Sequence, residues 1–475
     1  MIPAAFWLIA LPFGAAPVVY FFRRVGVGAI VAAVVALFSA WLALRLPVGL
    51  GWRILGRPAE LGPLSQISLV LLFTTTALLF LISSATVPFI AGVRKKVIDA
   101  DALTGAGRTF YPLSLGSLGF LVAASLAQHL GITAILVGMA GIFAVFIIQG
   151  SRLESIRAAQ RFLILISLSL PLFLLVSWRI DVYQLSGLRP LPRSLQETAL
   201  LAGIGFALWL AVVPFHGWVT ATTAEASPIS ATFILVVFPI VAFLTLSQML
   251  IKTPWLVQSS QLVWGMVLAG LVTASLGGFL TAFQRGFSGL MGYSALYDLG
   301  CTLIIFGLGG PTAILMGFAA LTMRALALTL ITASVSALRL QGTADDAFAQ
   351  MAGAARPMPL AAAGLLGGGL TLAGAPLTIG FVLRWHLLQN LAGFEASGAI
   401  LLALAGLGVV IGYLRGFRAL LPTPADKRPG PQFQEPLLIA VFIVVLGGVC
   451  LVLGLFPDML LAPLRELIGG MSLPI

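Results

Sequence analysis

Long apolar runs recur from one end of this 475-residue chain to the other, and they constrain its fold more than any other feature. A run of about 20 apolar residues is long enough to cross the hydrocarbon core of a bilayer as a helix. Hydrophobic residues make up 60% of the sequence, which is more apolar surface than a soluble protein of this length can bury. The sequence therefore predicts an all-α integral membrane protein with about 14 transmembrane helices. The candidate spans are 3–21, 26–46, 65–92, 109–129, 131–150, 158–180, 197–216, 228–251, 260–283, 290–309, 312–337, 358–391, 395–417 and 435–456.

Basic residues give the chain a net charge of +11 and predict its orientation. Lysine and arginine are about twice as frequent in the loops after odd-numbered spans as in the other loops, and such loops face the cytoplasm. We therefore expect a multi-pass protein of the inner (cytoplasmic) membrane with both termini on the outer, periplasmic side. The basic residues flank apolar spans and form no stripe with interleaved aromatics, so the bilayer is the expected partner and nucleic acid is not.

Two of the windows are interrupted in a similar way. The seventh breaks at Pro214, and the twelfth breaks at Gly374 and Pro376, where helix propensity and a backbone donor are lost. Breaks five spans apart are typical of inverted-repeat membrane proteins, which predicts one repeat of helices 4–8 and another of helices 9–13. The expected divisions are 1–108 (helices 1–3), 109–252 (first repeat), 253–421 (second repeat) and 422–475 (helix 14 and tail).

Five stretches along the chain carry a specific pattern: WLAVVPFHGW, AEASPISATFIL, GLMGYSALYDLG, LTMRALALTLITASV and TLAGAPLTIGFVLRW. Together they resemble one known family, the antiporter-like membrane subunits of respiratory complex I, membrane-bound hydrogenases and multisubunit cation/proton antiporters. The resemblance implies 14 helices, two five-helix inverted repeats, broken helices 7 and 12, and both termini outside. It also implies other antiporter-like subunits and a hydrophilic redox module as partners, with iron–sulfur clusters, flavin or quinone only in those partners.

The sequence departs from this family where the resemblance implies a proton path. The family has a glutamate in helix 5, lysines in helices 7 and 8, and a lysine or glutamate in helix 12. The corresponding positions here hold Ala140, Trp209 and Ile240, and Arg384 stands in helix 12. Alanine, tryptophan and isoleucine cannot carry a proton, and the pKa of arginine lies above 12. We therefore expect a degraded or absent proton channel.

Five ionisable residues remain as candidates for a proton path or a charge lock. His216 is expected to anchor the freed carbonyls of the broken helix, with a proton relay as the alternative. Glu225 is expected to pair with a basic group or cap the next helix, with a proton-entry role as the alternative. Asp298 is predicted to form a structural ion pair with Arg324 or with Arg384, because charges within membrane helices face inward and pair.

Two classes of function fit these residues. The first is an antiporter-like subunit of a complex I-type respiratory oxidoreductase, of the NADH/quinone or hydrogenase-like kind, with a scaffold or coupling role. The alternative is a stand-alone secondary transporter of ions or anions built on inverted repeats. An enzyme acting on a lipid substrate is less well supported, because no catalytic motif is present and the two cysteines form no metal-ligand spacing. No cofactor or metal is expected in this chain.

Overall fold

The structure is a computed structural model that consists almost entirely of helices, with one small hairpin. The predicted all-α membrane fold is confirmed, and each predicted window overlaps a helix. The exact number of membrane crossings and the inverted repeats stay predictions. The structure describes residues 4–21, 25–54, 56–93, 109–150, 155–186, 192–257, 260–340, 347–421 and 435–469.

The N-terminal part contains three long helices, and a hairpin lies between the second and the third. All three helices are apolar along most of their length, as the windows predicted. The elements are α1 (Phe6–Phe21), α2 (Val25–Arg45), β1 (Gly51–Ile54), β2 (Arg57–Glu60) and α3 (Pro63–Val93).

The hairpin is a difference from the all-α prediction. Strands β1 and β2 pair antiparallel, and Gly56 between them adopts a positive φ of 78° that glycine tolerates without steric cost. The hairpin contacts the connection between residues 126 and 130, where Gln128 donates its backbone N–H to the Pro58 carbonyl at 3.1 Å. Such a short polar segment carries no periodicity long enough to be recognised between two apolar helices.

The middle of the described chain covers the residues of the predicted first repeat, and it forms six longer helices and a short one. Helix α9 begins at Pro228 directly after Ser227, whose hydroxyl accepts a hydrogen bond from the Ser230 N–H at 3.1 Å, a standard N-cap. The helices are α4 (Phe110–Leu126), α5 (Leu130–Gln149), α6 (Ile156–Ser186), α7 (Pro192–Trp209), α8 (Gly217–Glu225), α9 (Pro228–Lys252) and α10 (Pro254–Val257).

The described residues within the predicted second repeat form six further helices. Helices α11 and α12 pack closely because glycines lie where they cross; a Cβ at Gly300, for example, would overlap the backbone of Ala274. The helices are α11 (Ser260–Phe283), α12 (Phe287–Leu308), α13 (Gly310–Arg339), α14 (Pro359–Ala373), α15 (Ile379–Phe394) and α16 (Ala396–Leu420).

Two helices complete the described chain, α17 (Leu437–Leu455) and α18 (Asp458–Gly469). Helix α17 corresponds to predicted helix 14, whereas the residues of α18 were predicted only as a C-terminal tail. Helix α18 is amphipathic and packs its buried residues Leu461, Leu464 and Ile468 towards α3 and α13. Its 12 residues are too few to span a bilayer, which is why no window covered it.

Within the described residues, ten helices are long and apolar enough to cross a membrane, and three shorter ones are also apolar. Helix α9 lies at the centre, since its apolar stretch is completely buried against helices that include α3, α4, α5 and α13. Helix α17 lies at the edge, where only 28% of its apolar stretch is buried. The core is therefore built around α9, and the outer helices present apolar side chains to the surroundings.

Two breaks interrupt helical paths that would otherwise be continuous. Helix α7 ends at Trp209 and α8 begins at Gly217, whereas α14 ends at Ala373 and α15 begins at Ile379. Each break contains a residue other than glycine with positive φ, Ala211 at 52° and Leu377 at 69°. They are the only two such residues in the described ranges. Such conformations cost about 1–3 kcal/mol each, so the surrounding packing must enforce them.

Candidate functional site

The first break begins in an apolar environment at Trp209. This tryptophan is 6% exposed, and its ring centroid lies 4.2 Å from that of Phe173 on α6. Its indole Nε1–H donates to the Ser169 hydroxyl at 2.6 Å, and that hydroxyl donates to the Ile166 carbonyl. Because the side-chain polar atoms of Trp209 and Ser169 both have partners, this position is a satisfied structural contact, and neither side chain ionises near neutral pH.

A small apolar cavity lies beside Trp209. Its volume is about 10 Å³, which is below or at the smallest space that holds one water molecule. An apolar cavity of this size cannot contain a chain of waters that would carry protons. The lining includes Val137, Phe162, Ile166, Trp209, Trp218 and Phe238.

The other two positions at which the resemblance implies ionisable residues are also buried. Ala140 on α5 and Ile240 on α9 are both fully buried. The Ala140 carbonyl accepts a hydrogen bond from the Ser117 hydroxyl on α4 at 3.1 Å, which joins α4 to α5 at the position predicted for the family glutamate. The structure therefore contains packed apolar residues at all three positions.

His216 does not have the anchoring role that we predicted. It lies half-buried at the N-cap of α8, and its side chain makes no capping hydrogen bond, while its Nδ1 atom has no partner. Backbone N–H groups at the break instead donate to carbonyls within the break or to α11. The Val213 N–H, for example, donates to the Thr273 hydroxyl on α11 at 3.2 Å. Pro214 itself lies between the two helices in a cis Val213–Pro214 peptide.

Glu225 caps a helix, but not the next one. Its carboxylate accepts the Ala158 N–H at 2.8 Å, in the first turn of α6. The following helix α9 is capped by Ser227, because that residue and not Glu225 occupies its N-cap position. A carboxylate at a helix N-terminus is stabilised by the unpaired N–H groups and the helix dipole. Glu225 thus fixes α6 to α8.

A buried charge cluster lies in the other half of the described chain. Asp298 on α12 is fully buried, and its Oδ2 atom accepts from Nη1 of the equally buried Arg324 on α13 at 2.8 Å. Its Oδ1 atom accepts from Nη2 of Arg384 on α15, which is 4% exposed. The sequence predicts one pairing or the other, and the structure has both. We call these three residues the charge triad.

Arg324 also joins the triad to the central helix. Its Nε and Nη2 atoms donate to the Leu235 carbonyl at 3.0 and 2.9 Å, and Nη1 also donates to the Ala295 carbonyl. Pro239 lies four residues after Leu235 in α9, and a proline has no N–H to bond that carbonyl. The guanidinium therefore replaces the helical hydrogen bond that Pro239, the residue before Ile240, cannot form.

Arg384 is held less completely. Its Nη2 donates weakly to the Leu372 carbonyl at 3.3 Å, in the last turn of α14, and its guanidinium carbon lies 5.2 Å from the Tyr297 ring centroid. Its Nε and Nη1 atoms are buried and have no hydrogen-bond partner. Gly374, with φ of 84°, ends α14 and leaves room for the Arg384 stem. Pro376 follows in the same break.

The sequence reasoning missed the partners that are not ionisable: the Leu235 carbonyl, Ser169 and Thr273. Pro239 was the available signal for the first, because a proline inside a membrane helix always frees a carbonyl four residues earlier.

The described residues contain no cluster of three or more potential metal ligands. Chemically, the triad can fix helices through permanent charges, but neither arginine releases a proton near neutral pH.

Helices buried around α9, two broken helical paths and a charged centre at membrane depth define a polytopic membrane protein of the antiporter-like class. Residues 109–412 match the family described as NADH:quinone oxidoreductase/Mrp antiporter, transmembrane. The match covers more than half of the chain, and the chain belongs to this family. The predicted antiporter-like membrane subunit is thereby confirmed.

Related sequences carry two kinds of name. NADH-quinone oxidoreductase subunit N of Rhodopseudomonas palustris is 28% identical over 422 residues, covering 86% of both chains. Formate hydrogenlyase subunit 3 of Escherichia coli is 27% identical over 376 residues, covering 72% of this chain. The match spans only 60% of that second relative's length.

Solved structures share the fold at low sequence identity. A chain of the Mrp complex from Dietzia sp. matches with a TM-score of 0.77 and 17% identity, covering 98% of this chain and 96% of that one. A chain of respiratory complex I from Thermus thermophilus also matches with a TM-score of 0.77 and 17% identity, covering 98% of both. Both neighbours are chains of multisubunit complexes.

Proposed function

We propose that this chain is an antiporter-like subunit of a complex I-type or hydrogenase-like respiratory oxidoreductase, in which the usual proton path has been lost. In this role the subunit is a scaffold, or a coupling element that transmits conformational change between its neighbours. Electrons pass through partner subunits, and this chain contributes membrane architecture.

The observation that carries the proposal is the packing at Trp209 and Ile240. Proton transfer through a membrane helix requires groups that bind and release protons near the working pH, linked by water. Trp209 has its single side-chain N–H bonded to Ser169, Ile240 is fully buried, and the cavity that Trp209 itself lines is too small for a water chain. A proton path through these positions would need an ionisable group at one of them.

The charge triad supports the same conclusion from the other half of the chain. Arg324 is held by the Asp298 carboxylate and by two backbone carbonyls, so any movement of the guanidinium would break several buried hydrogen bonds at once. Breaking a buried ion pair costs about 3–5 kcal/mol. The triad therefore acts as a lock between α9, α12, α13 and α15, and it is poorly suited to shuttle protons.

Partners and location follow from the family and the charge distribution. We propose that other membrane antiporter-like subunits flank the chain and that a hydrophilic redox module carries the iron–sulfur clusters, flavin or quinone site. The chain itself would hold no cofactor. The excess of basic residues in the loops after odd-numbered spans favours the inner membrane with both termini outside.

The direct test is proton translocation by the intact native assembly in proteoliposomes. Wild type is compared with His216→Ala and Arg384→Ala, and Arg193→Ala on an exposed side chain is the matched control. We expect the number of protons moved per electron to be the same in all four. A lower ratio in His216→Ala or Arg384→Ala, with the assembly still intact by size-exclusion chromatography, would show that this subunit conducts protons.

Purification from the native membrane distinguishes the proposed respiratory subunit from the alternative prediction, a stand-alone transporter. A respiratory subunit should co-purify with hydrophilic iron–sulfur subunits, which are recognised by their visible absorption and their metal content. A chain that purifies alone, and that moves ions in proteoliposomes without any redox substrate, would contradict the proposed function.

A further inference from the structure

The charge triad contains more positive charge than negative. Arg324 and Arg384 contribute two positive charges, and Asp298 contributes one negative charge, all within buried surroundings. No other acidic side chain of the described residues forms an ion pair with either arginine. The triad therefore has a formal surplus of one positive charge, and an uncompensated charge in such a medium is costly.

The ends of the two half-helices do not remove this surplus. The C-terminus of α14 and the N-terminus of α15 meet at the second break, at Gly374 and Thr378. Helix ends carry partial charges of about −0.5 and +0.5 respectively, so their effects at the break largely offset each other. Some other negative group is needed to neutralise the triad.

The surplus is located on Arg384. All three nitrogen atoms of Arg324 donate hydrogen bonds, whereas Nε and Nη1 of Arg384 have no partner although both are buried. Buried polar groups are almost always hydrogen-bonded, and a bound water or ion is one explanation for an exception. Because the triad carries a surplus positive charge as well as unpaired donors, an anion fits better than water alone.

We propose that the guanidinium of Arg384 binds one small monovalent inorganic anion of the halide class. The ion lies against the unpaired N–H groups, and water bonds any donor that the ion leaves free. A single negative charge neutralises the triad, and a divalent anion would overcompensate it. The buried position of these atoms favours a small ion over the carboxylate of a neighbouring subunit. This inference does not depend on whether the subunit conducts protons.

The test is binding of radioactive chloride to the purified full-length chain in detergent, measured by scintillation proximity. Wild type should show one saturable site. Arg384→Gln should lose saturable binding, because the remaining Asp298–Arg324 pair is neutral. Asp298→Asn also leaves both arginines without a carboxylate, so we expect folded protein only when it is purified in chloride, and it should bind chloride at least tenfold more tightly because its surplus rises to two charges. Arg193→Gln, which changes an exposed side chain far along the chain from the triad, should bind as wild type does.

Arg384→Lys is the second variant that keeps the test decisive if Arg384→Gln does not fold. It retains the charge and should retain weakened binding. The proposal is overturned if wild type shows no saturable site, or if folded Arg384→Gln or Asp298→Asn binds chloride as wild type does. Repeating the measurement on the intact native assembly identifies the natural counter-charge. Saturable binding there supports the proposal, and binding by the isolated chain only would assign that role to a partner's carboxylate and overturn it.

Discussion

The two helix breaks have similar backbones and opposite chemistry. Each ends one half-helix and begins another within a few residues, and each contains one strained residue other than glycine, Ala211 in the first and Leu377 in the second. The first break follows Trp209, which packs against aromatic rings, and the second precedes Arg384, which joins a buried ion pair. One architecture is therefore compatible with a neutral centre and with a charged one.

This difference shows what each break contributes. At the first break, aromatic packing and the Trp209–Ser169 hydrogen bond stabilise the chain without any charge. At the second, permanent charges hold α12, α13 and α15 together and tie them to α9. Neither Trp209 at the first break nor Arg384 at the second releases a proton near neutral pH, and His216 is the remaining titratable side chain at the first break.

Replacing Asp298 by leucine should have the largest effect. The substitution leaves Arg324 and Arg384 buried next to each other without a carboxylate, and loss of one partner from a buried ion pair costs about 3–5 kcal/mol. We expect little folded protein, as measured by the monodisperse yield on size-exclusion chromatography. Asp298→Glu, which keeps the charge, should give a higher yield than the leucine variant. An equal yield of wild type and Asp298→Leu would contradict the charge lock.

The two arginines should not be equivalent. Arg324→Met leaves the carbonyl freed by Pro239 unpaired as well as removing an ion pair, and we expect a loss of at least about 2 kcal/mol. Arg384→Met removes unpaired N–H groups and leaves a neutral Asp298–Arg324 pair, so its cost should lie within about 1 kcal/mol. Thermal unfolding of both variants in nanodiscs measures the difference. The reverse order would refute the assignment of the surplus charge to Arg384.

Much of this fold could be predicted because bilayer thickness and helix geometry constrain the apolar runs. The breaks at Pro214 and at Gly374 and Pro376 were visible because these residues remove donors or helix propensity. The β-hairpin and α18 were not visible, because segments of four to 12 residues carry too little periodicity to be distinguished from loops.

The charge triad could be predicted only in part. Three ionisable residues in apolar helices must pair, which made Asp298 and its two arginines recognisable, but the sequence could not decide between one pair and two. The role of His216 was wrongly predicted because the carbonyls and N–H groups of a break have many nearby donors and acceptors, here including Thr273. The Leu235 carbonyl could have been predicted from Pro239, four residues later in α9, but the sequence does not show which side chain reaches that carbonyl.

Substitutions at the first break should destabilise the protein less than substitutions in the charge triad. Trp209→Phe removes the indole N–H and leaves a small cavity, and Ser169→Ala leaves that N–H unpaired, so each should destabilise by about 1–2 kcal/mol. A double-mutant cycle in thermal unfolding should give a coupling energy close to that of one hydrogen bond, about 1 kcal/mol. No coupling would mean that aromatic packing alone stabilises Trp209. Neither variant should alter the protons moved per electron by the assembly.

The smallest effect is expected at Glu225. Glu225→Gln keeps an acceptor oxygen for the Ala158 N–H but removes the charge at the start of α6, which is worth about 0.3–1 kcal/mol. Glu435→Gln is a matched control, because Glu435 accepts the Ala361 N–H in the first turn of α14 in the same way. The two variants should show similar small decreases in unfolding temperature and an unchanged proton-to-electron ratio. If Glu225→Gln alone lowers that ratio, the carboxylate takes up protons, and a path must reach it that bypasses the packed residues around Trp209.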